Sequence, residues 1–165
     1  MSVLSCLIIW SNINFIRQGD FVQIILREAR LDDCLSIGNL IKNELGYKKL
    51  DSEKLLIRLK KMKFDDKHLT IVAESDGNII GFIGFFKGIA YNYDGEYIQI
   101  IALAVSSQYQ NIGIGSKLLN WVEDYAIQYD IRSLGLNSGL KRTEAHAFYE
   151  HKGYLKKSYG FVKDL

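Results

Sequence analysis

Two glycines, Gly113 and Gly115, stand between an apolar run of the chain and an amphipathic one. The apolar run ends at Val105, and the amphipathic run carries apolar residues at spacings of three and four, as an α-helix does. Backbone N–H groups in the first turn of a helix have no intrahelical partner and carry partial positive charge, so they favour an anion. Glycines at this point let a ligand approach those N–H groups. The pattern predicts a phosphate-binding turn, suited to a pyrophosphate.

Two familiar phosphate-binding motifs do not fit this turn. A P-loop of the nucleotide-hydrolase kind ends in Gly-Lys-Ser/Thr, whereas Ser116 precedes Lys117 here. A dinucleotide-binding fingerprint needs a third glycine, and Leu118 stands in its place. A third pattern, Gln/Arg-x-x-Gly-x-Gly/Ala after a strand, is matched in full by residues 110–115.

The sequence around the turn predicts the elements that position it. Hydrophobic periodicity and turn residues indicate helices that begin near residues 32, 51, 114 and 141, and strands at residues 22–27, 69–74, 79–87, 97–105, 131–137 and 154–162. We therefore expect one mixed α+β domain over residues 21–165. Residues 1–20 form an N-terminal extension, which either lies outside the domain or adds a strand or helix packed on it or on a neighbouring subunit.

Composition excludes several functional classes. The 165 residues carry a net charge of only +2, which disfavours binding to nucleic acid or a membrane through bulk charge. The apolar octet of residues 3–10 is far shorter than the ~20 residues of a membrane span. Two cysteines, Cys6 and Cys34, form no disulfide framework, and the three histidines are too scattered to predict a metal site. A reducing, cytoplasmic setting is the simplest interpretation.

A second segment, residues 134–154, joins the glycine turn in resembling the GNAT superfamily of acetyl-CoA-dependent N-acetyltransferases. The resemblance covers nearly all of the chain after the extension. Its matching features are Asn137 after a strand, Arg142, the pair Ala145-His146, the run Phe148-Tyr149-Glu150, and Gly153 followed by an aromatic residue.

The resemblance implies a GNAT-like fold, in which a mostly antiparallel central sheet splays open and is flanked by helices. Acetyl-CoA would lie in the opening. Its pantetheine arm would pair like a strand with the backbone of Leu103, Ala104 and Val105. Its pyrophosphate would bind the turn formed by Gln110, Asn111, Ile112, Gly113, Ile114, Gly115 and Ser116, and Asn137 and Phe148 would complete the cofactor site.

The implied chemistry is direct attack of an amine on the thioester. The amine must first lose its proton, because an ammonium has no lone pair. Backbone N–H groups near Val105 would hold the resulting oxyanion. Tyr149 matches the family's tyrosine and is the candidate general acid for the departing thiolate, since a phenol with a pKa of about 10 is protonated at neutral pH. The alternative is that Tyr149 only packs beneath the cofactor.

The general base is where this chain departs from its relatives. Many enzymes with both motifs carry a glutamate on the central strand, at the position of Ile101 here. Isoleucine cannot titrate, and the amide of Gln99 on the same face is no base. Three possibilities remain open: Glu96 acting through water, a chain of water alone, or an amine that arrives neutral. His146 is a further candidate, although a histidine inside this helix more often packs or caps.

The resemblance implies that the acceptor is a primary amine of a small molecule or a protein, and the residues point to two different kinds of amine. Lysines of the second predicted helix would attract an acidic or phosphorylated acceptor. A pocket of aromatic residues and carboxylates would instead suit a cation; its members are Tyr47, Tyr91, Tyr93, Asp94 and Glu96. An acyl-CoA-binding sensor or partner module without turnover is the alternative from another class, and an aminoglycoside-type resistance enzyme is a third hypothesis. A homodimer is also expected to be possible, with the N-terminal octet at its interface.

Overall fold

The computed structural model describes residues 11–17, 20–92 and 94–165. The octet of residues 3–10 and Tyr93 of the predicted acceptor pocket therefore lie outside the described part. Six strands and four helices follow along the chain: β1 Ser11–Arg17, β2 Asp20–Glu28, α1 Cys34–Glu44, α2 Ser52–Lys63, β3 His68–Ser75, β4 Asn78–Ile89, β5 Glu96–Val105, α3 Ile114–Gln128, β6 Leu134–Leu136 and α4 Thr143–His151.

The six strands form one sheet in the order β1-β2-β3-β4-β5-β6. Every neighbouring pair is antiparallel except β5 and β6, which run parallel and are connected through α3. This confirms the expected mixed α+β class and the mostly antiparallel sheet. Residues 11–17 of the extension pair with β2 as an edge strand, which is one of the forms considered for that segment.

Helices cover both faces of the sheet. Leu118, Leu119 and Val122 of α3 are fully buried against β3, β4 and β5, with Phe148 and Tyr149 of α4 at the margin of the same core. Ile37 and Leu40 of α1 pack on the opposite face, where they form a second, smaller core with residues of β3, β4 and β5. No helix in the described part of the chain is long and apolar enough to cross a bilayer.

Two predicted strands differ from the structure at the C-terminal end. The strand expected at residues 131–137 is only Leu134–Leu136, and the final strand expected at residues 154–162 does not form. Residues 155–165 are exposed throughout, including the aromatic side chains of Tyr159 and Phe161. A strand requires a hydrogen-bonding partner, and the β-rich composition of this segment does not supply one.

Asp33 is the N-cap residue of α1, but its carboxylate makes no capping hydrogen bond to that helix. It accepts two hydrogen bonds from the Arg27 guanidinium, at 2.7 and 2.9 Å, and a third from the backbone N–H of Arg30. Arg27 also donates from Nε to Glu74 on β3. Arg27 and Asp33 are 5% and 8% exposed, so this buried network joins β2, β3 and the turn that precedes α1.

We expect Asp33→Asn to lower the free energy of unfolding by about 3 kcal/mol near neutral pH, because Arg27 loses its bidentate partner in a buried place. Burial opposes ionisation of Asp33, but the bonds from Arg27 and Arg30 outweigh it and hold the pKa below its ordinary value. A depressed pKa contributes stability above the unfolded pKa of about 3.9, and that stability is lost as the pH falls through the folded value. Urea unfolding at a series of pH values measures both effects.

Asp32→Asn is the matched control, since the neighbouring carboxylate is exposed and the side-chain hydrogen bonds of Arg27 go to Glu74, Glu28 and Asp33. Its stability should stay within about 0.5 kcal/mol of the wild type. A stability gap between wild type and Asp33→Asn that persists unchanged to pH 2 would contradict the assignment of this effect to an ion pair.

Candidate functional site

The sheet opens between β5 and β6. β6 pairs with β5 only at Ile98, Gln99 and Ile100, whereas β5 continues to Val105. Along residues 101–105, no described strand pairs with the edge of β5 that faces β6. An extended chain can add to such an edge through backbone hydrogen bonds. The opening therefore lies beside Leu103, Ala104 and Val105, where the pantetheine arm was expected.

A β-bulge at Ile101 changes which side chains at the end of β5 lie on each face of the sheet. Gly84 of β4 pairs with Ala102 and Phe85 pairs with Ile100, so Ile101 has no partner of its own. Ile98 and Ile100 pack in the α3 core, and after the bulge so do Leu103 and Val105. The extra residue therefore reverses the alternation of side chains, a shift that an unbroken strand does not produce.

The turn that follows β5 has the backbone that an anion site requires. Gly113 has a φ of 91° and Asn111 a φ of 62°, both in the left-handed region, and Gly113 is the N-cap of α3. The first helical hydrogen bond runs from the N–H of Lys117 to the carbonyl of Gly113. The N–H groups of residues 114–116 thus have no intrahelical acceptor. No acidic side chain lies in this first turn to neutralise their partial charge.

Side chains of the protein itself brace the turn against the end of β5. The side-chain amide of Gln110 donates to the carbonyl of Val105 at 2.9 Å and to Glu44 at 3.4 Å. The other carboxylate oxygen of Glu44 accepts from the backbone N–H of Ser107 at 2.9 Å. Gln110, predicted to contact the cofactor, therefore also fixes the shape of the turn. Glu44 was missed by the sequence analysis, because nothing in its local pattern connects the end of α1 to residue 110.

The end of β5, the start of α3 and the middle of α4 meet at Gly115. A Cβ atom at Gly115 would lie 3.6 Å from Cζ of Phe148 and 3.8 Å from Cγ2 of Val105, both ordinary contacts. An alanine would therefore fit, in agreement with the Gly/Ala choice that the motif allows. Phe148 therefore packs on the turn itself. Its contact with a cofactor stays a prediction.

Tyr149 lies next to this junction with its side chain half-buried. Its ring packs edge-on against Phe148, with centroids 5.2 Å apart, and against Tyr154, with centroids 6.0 Å apart. Burial raises the pKa of the Tyr149 phenol above its ordinary value, and the positive charge of Arg142 opposes part of that rise. The phenol therefore keeps its proton throughout the neutral range, as a general acid must.

The remaining predicted residues lie at different distances from the junction. Asn137 is exposed and follows directly after β6, at the mouth of the opening. His146 points one ring nitrogen, Nε2, at the carbonyl of Gly139 at 3.0 Å, so it donates there and fixes the loop before α4. Glu96 begins β5 and is exposed; Val105, at the other end of this strand, lies roughly 30 Å away. The structure does not bring Glu96 near the other predicted site residues.

Taken together, these features suit a long ligand with a pyrophosphate at one end and an extended, hydrogen-bonding arm at the other. The uncapped first turn of α3 fits the pyrophosphate, and the bare edge of β5 fits the arm. CoA has a pyrophosphate and an extended arm with amide groups, so the residues present are compatible with CoA binding.

Comparison with known proteins agrees with this arrangement. The sequence model of the Acetyltransferase (GNAT) family matches residues 35–154. The chain is 29% identical over 144 residues to an aminoalkylphosphonate N-acetyltransferase of Salmonella typhimurium strain LT2, a match that covers 85% of this chain and 90% of that protein.

Solved structures share the fold. A transcriptional regulator from Bacillus halodurans superposes with a TM-score of 0.80 at 24% identity, over 86% of this chain and 99% of that one. The aminoglycoside N-acetyltransferase AAC(6')-Iy, solved in complex with CoA, superposes with a TM-score of 0.76 at 13% identity, over 87% of this chain and 95% of that one. At these identities the likeness concerns the fold alone.

Proposed function

Since the chain belongs to the GNAT acetyltransferase family, we propose that it transfers an acetyl group from acetyl-CoA to a primary amine, by direct attack in a ternary complex. The strongest support is that three features meet at Gly115. They are the uncapped start of α3, the unpaired end of β5, and helix α4, which carries Tyr149. In the proposed reaction these three features bind the pyrophosphate, align the pantetheine arm and protonate the departing thiolate.

In this proposal each element has one task. The N–H groups at the start of α3 bind the pyrophosphate, with the turn held in shape by Gln110. The backbone of Leu103, Ala104 and Val105 pairs with the pantetheine arm, and Asn137 bonds the arm or a water beside it. Acetyl-CoA supplies the activated acetyl group. A nitrogen–carbon bond forms as the carbon–sulfur bond breaks, and Tyr149 gives its phenolic proton to the departing thiolate. The nitrogen loses one proton to water, and Tyr149 regains a proton from water, so the products are the amide and free CoA thiol.

Release of free CoA thiol in the presence of a panel of primary amines tests this function. Suitable probes are 2-aminoethylphosphonate, suggested by the name of the Salmonella relative, an aminoglycoside, and a peptide with a free N-terminus. We expect thiol release that depends on both acetyl-CoA and at least one amine, with acetylated amine detected by mass spectrometry.

The second candidate function is a module that binds acyl-CoA without turnover. It is favoured by one observation, the isoleucine at position 101 where many relatives carry a carboxylate. Tight binding of acetyl-CoA in calorimetry, with no thiol release from any amine in the panel, would favour this module over the enzyme.

A further inference from the structure

One part of the sheet face that carries α1 and α2 is left open. Strand pairing places His68 and Thr70 of β3 on this face, and Gly84 and Phe86 of β4 beside them. On β5 the face continues with Tyr97, Gln99 and Ile101. Ile101 is 47% exposed and follows directly after the last β5 residue that pairs with β6.

Ile101, Gly84 and Thr70 adjoin one another on this open face. A Cβ atom at Gly84 would lie 3.7 Å from Cγ1 of Ile101 and 3.9 Å from Oγ1 of Thr70. The bulge that exposes Ile101 also begins the bare stretch of the β5 edge at residues 101–105. The open face is therefore continuous with the proposed acetyl site, and we call the surface formed by Thr70, Gly84, Phe86, Gln99 and Ile101 the acceptor floor.

The acceptor floor carries no carboxylate. Over residues 68–72 of β3, 82–88 of β4 and 97–104 of β5, the described side chains on this face are aliphatic, aromatic or neutral polar groups, apart from His68. Nδ1 of His68 is hydrogen-bonded to Oδ2 of Asp65 at 2.7 Å. His68 lies on β3, which is two strand spacings, or roughly 10 Å, from β5. Several ionisable groups border this face. Glu28, Arg30 and Lys63 line a small cavity with His68 and Thr70. Tyr97 lies on β5, and Glu44 at the end of α1 accepts hydrogen bonds from Ser107 and Gln110 beyond the end of β5.

An ammonium ion held between this floor and the bound thioester would lose hydration, and the floor residues themselves supply no counter-charge. Such burial disfavours the charged form of an amine and lowers its pKa. An amine with a pKa near 10.4, as in lysine, stays charged at neutral pH, whereas an α-amino group with a pKa of about 7.7–8.0 is partly neutral already. At pH 7 the neutral fractions of these two amines differ by more than ~100-fold.

On the basis of the proposed function, we infer that the acceptor is a weakly basic amine on an apolar or aromatic body, taken up in its neutral form without a carboxylate base. Ile101 and Phe86 contact the body of the acceptor and select against polycations. α-Amino groups and aromatic amines belong to this class, and lysine side chains do not.

Two amines with the same skeleton test the inference. L-Phenylalaninamide and 2-phenylethylamine differ by a carboxamide, which withdraws electrons and makes the first amine much less basic. At pH 7 we expect kcat/KM to be at least ~30-fold higher for phenylalaninamide. With 2-phenylethylamine, kcat/KM should rise about tenfold per pH unit up to pH 9, following the neutral amine. Equal kcat/KM at pH 7, or a plateau near neutral pH for the basic amine, overturns the inference.

A comparison of Ile101→Glu with its isosteric control, Ile101→Gln, tests whether residue 101 of the acceptor floor lies beside the acceptor amine. The glutamate supplies a base beside the acceptor, so we expect its pH profile for 2-phenylethylamine to flatten between pH 6 and 9, with at least ~10-fold more activity at pH 7 than the glutamine variant. Identical profiles for the two variants show that Ile101 does not adjoin the amine, which overturns the inference. Absence of thiol release with every amine in the wild type is a different outcome, because it rejects the proposed function itself.

Discussion

Replacement of Tyr149 by phenylalanine should lower kcat by about 10²-fold or more, with little change in the affinity for CoA. The phenylalanine keeps the ring contacts with Phe148 and Tyr154 and removes only the hydroxyl. The departing thiolate then takes its proton from water. Steady-state kinetics with a saturating amine measure kcat, and calorimetry with CoA measures affinity. Because burial raises the pKa of Tyr149, the wild-type kcat should lose activity by deprotonation of this acid only above pH 10 or so.

Tyr154→Phe is the matched control for this experiment. Tyr154 packs edge-on against Tyr149, and its hydroxyl lies near Glu123, whose negative charge adds to the effect of burial in raising the pKa of Tyr154. The control removes the same atom from the neighbouring ring and should keep kcat within a few-fold of the wild type. An unchanged kcat in Tyr149→Phe, or equal losses in both variants, would reduce Tyr149 to a packing residue.

The features that the sequence predicted well are those that a few consecutive residues determine. Asp51 was expected to start α2, and its carboxylate accepts from the N–H groups of Glu53 and Lys54. The turn residues Asp76-Gly77-Asn78 separate the predicted strands at residues 69–74 and 79–87, and they connect β3 to β4 with Asp76 and Gly77 at positive φ. In both places the side chains and backbone that decide the structure lie within a few positions of one another.

Features that depend on distant partners were not predictable in the same way. Asp33 has the position of a cap, yet Arg27 on β2 takes its carboxylate. The bulge at Ile101 arises from the pairing of two strands and leaves no signal in the sequence of β5, although it decides which side chains face the acceptor floor. The expected strand at residues 154–162 fails for a similar reason, since its composition suits a strand but no neighbour pairs with it.

The candidate site combines features that the local sequence determines with features that depend on distant residues. The glycine turn was located from its motif alone, since the left-handed backbone at Gly113 and the start of α3 follow from local sequence. The bracing of that turn by Glu44 and the distance of Glu96 from the site depend on the assembled sheet. The sequence left the general base open because Ile101 cannot titrate, and the acceptor proposed above, taken up in its neutral form, would need no base.

Replacement of Gly113 by valine should weaken CoA binding by at least ~100-fold. A β-branched side chain would stand where a phosphate must approach the backbone N–H groups of α3. The φ of 91° at Gly113 also resists any residue with a Cβ atom, at a cost of roughly 1–2 kcal/mol, so the turn itself is distorted. Calorimetric titration with CoA measures the loss, and thermal unfolding measures the cost in stability separately.

Gly95→Val separates the two effects, because Gly95 has a φ of 86° and no atom within 4 Å of its would-be Cβ, and it precedes the opposite end of β5 from Val105. This control should suffer a similar loss of stability from backbone strain and bind CoA as the wild type does. If Gly113→Val kept its affinity for CoA, the N-terminus of α3 would not be the pyrophosphate site. If both variants lost affinity equally, strain in the sheet would explain the loss and the turn would have no special part in it. A loss confined to Gly113→Val is expected only if the bare N–H groups at the start of α3 hold the ligand.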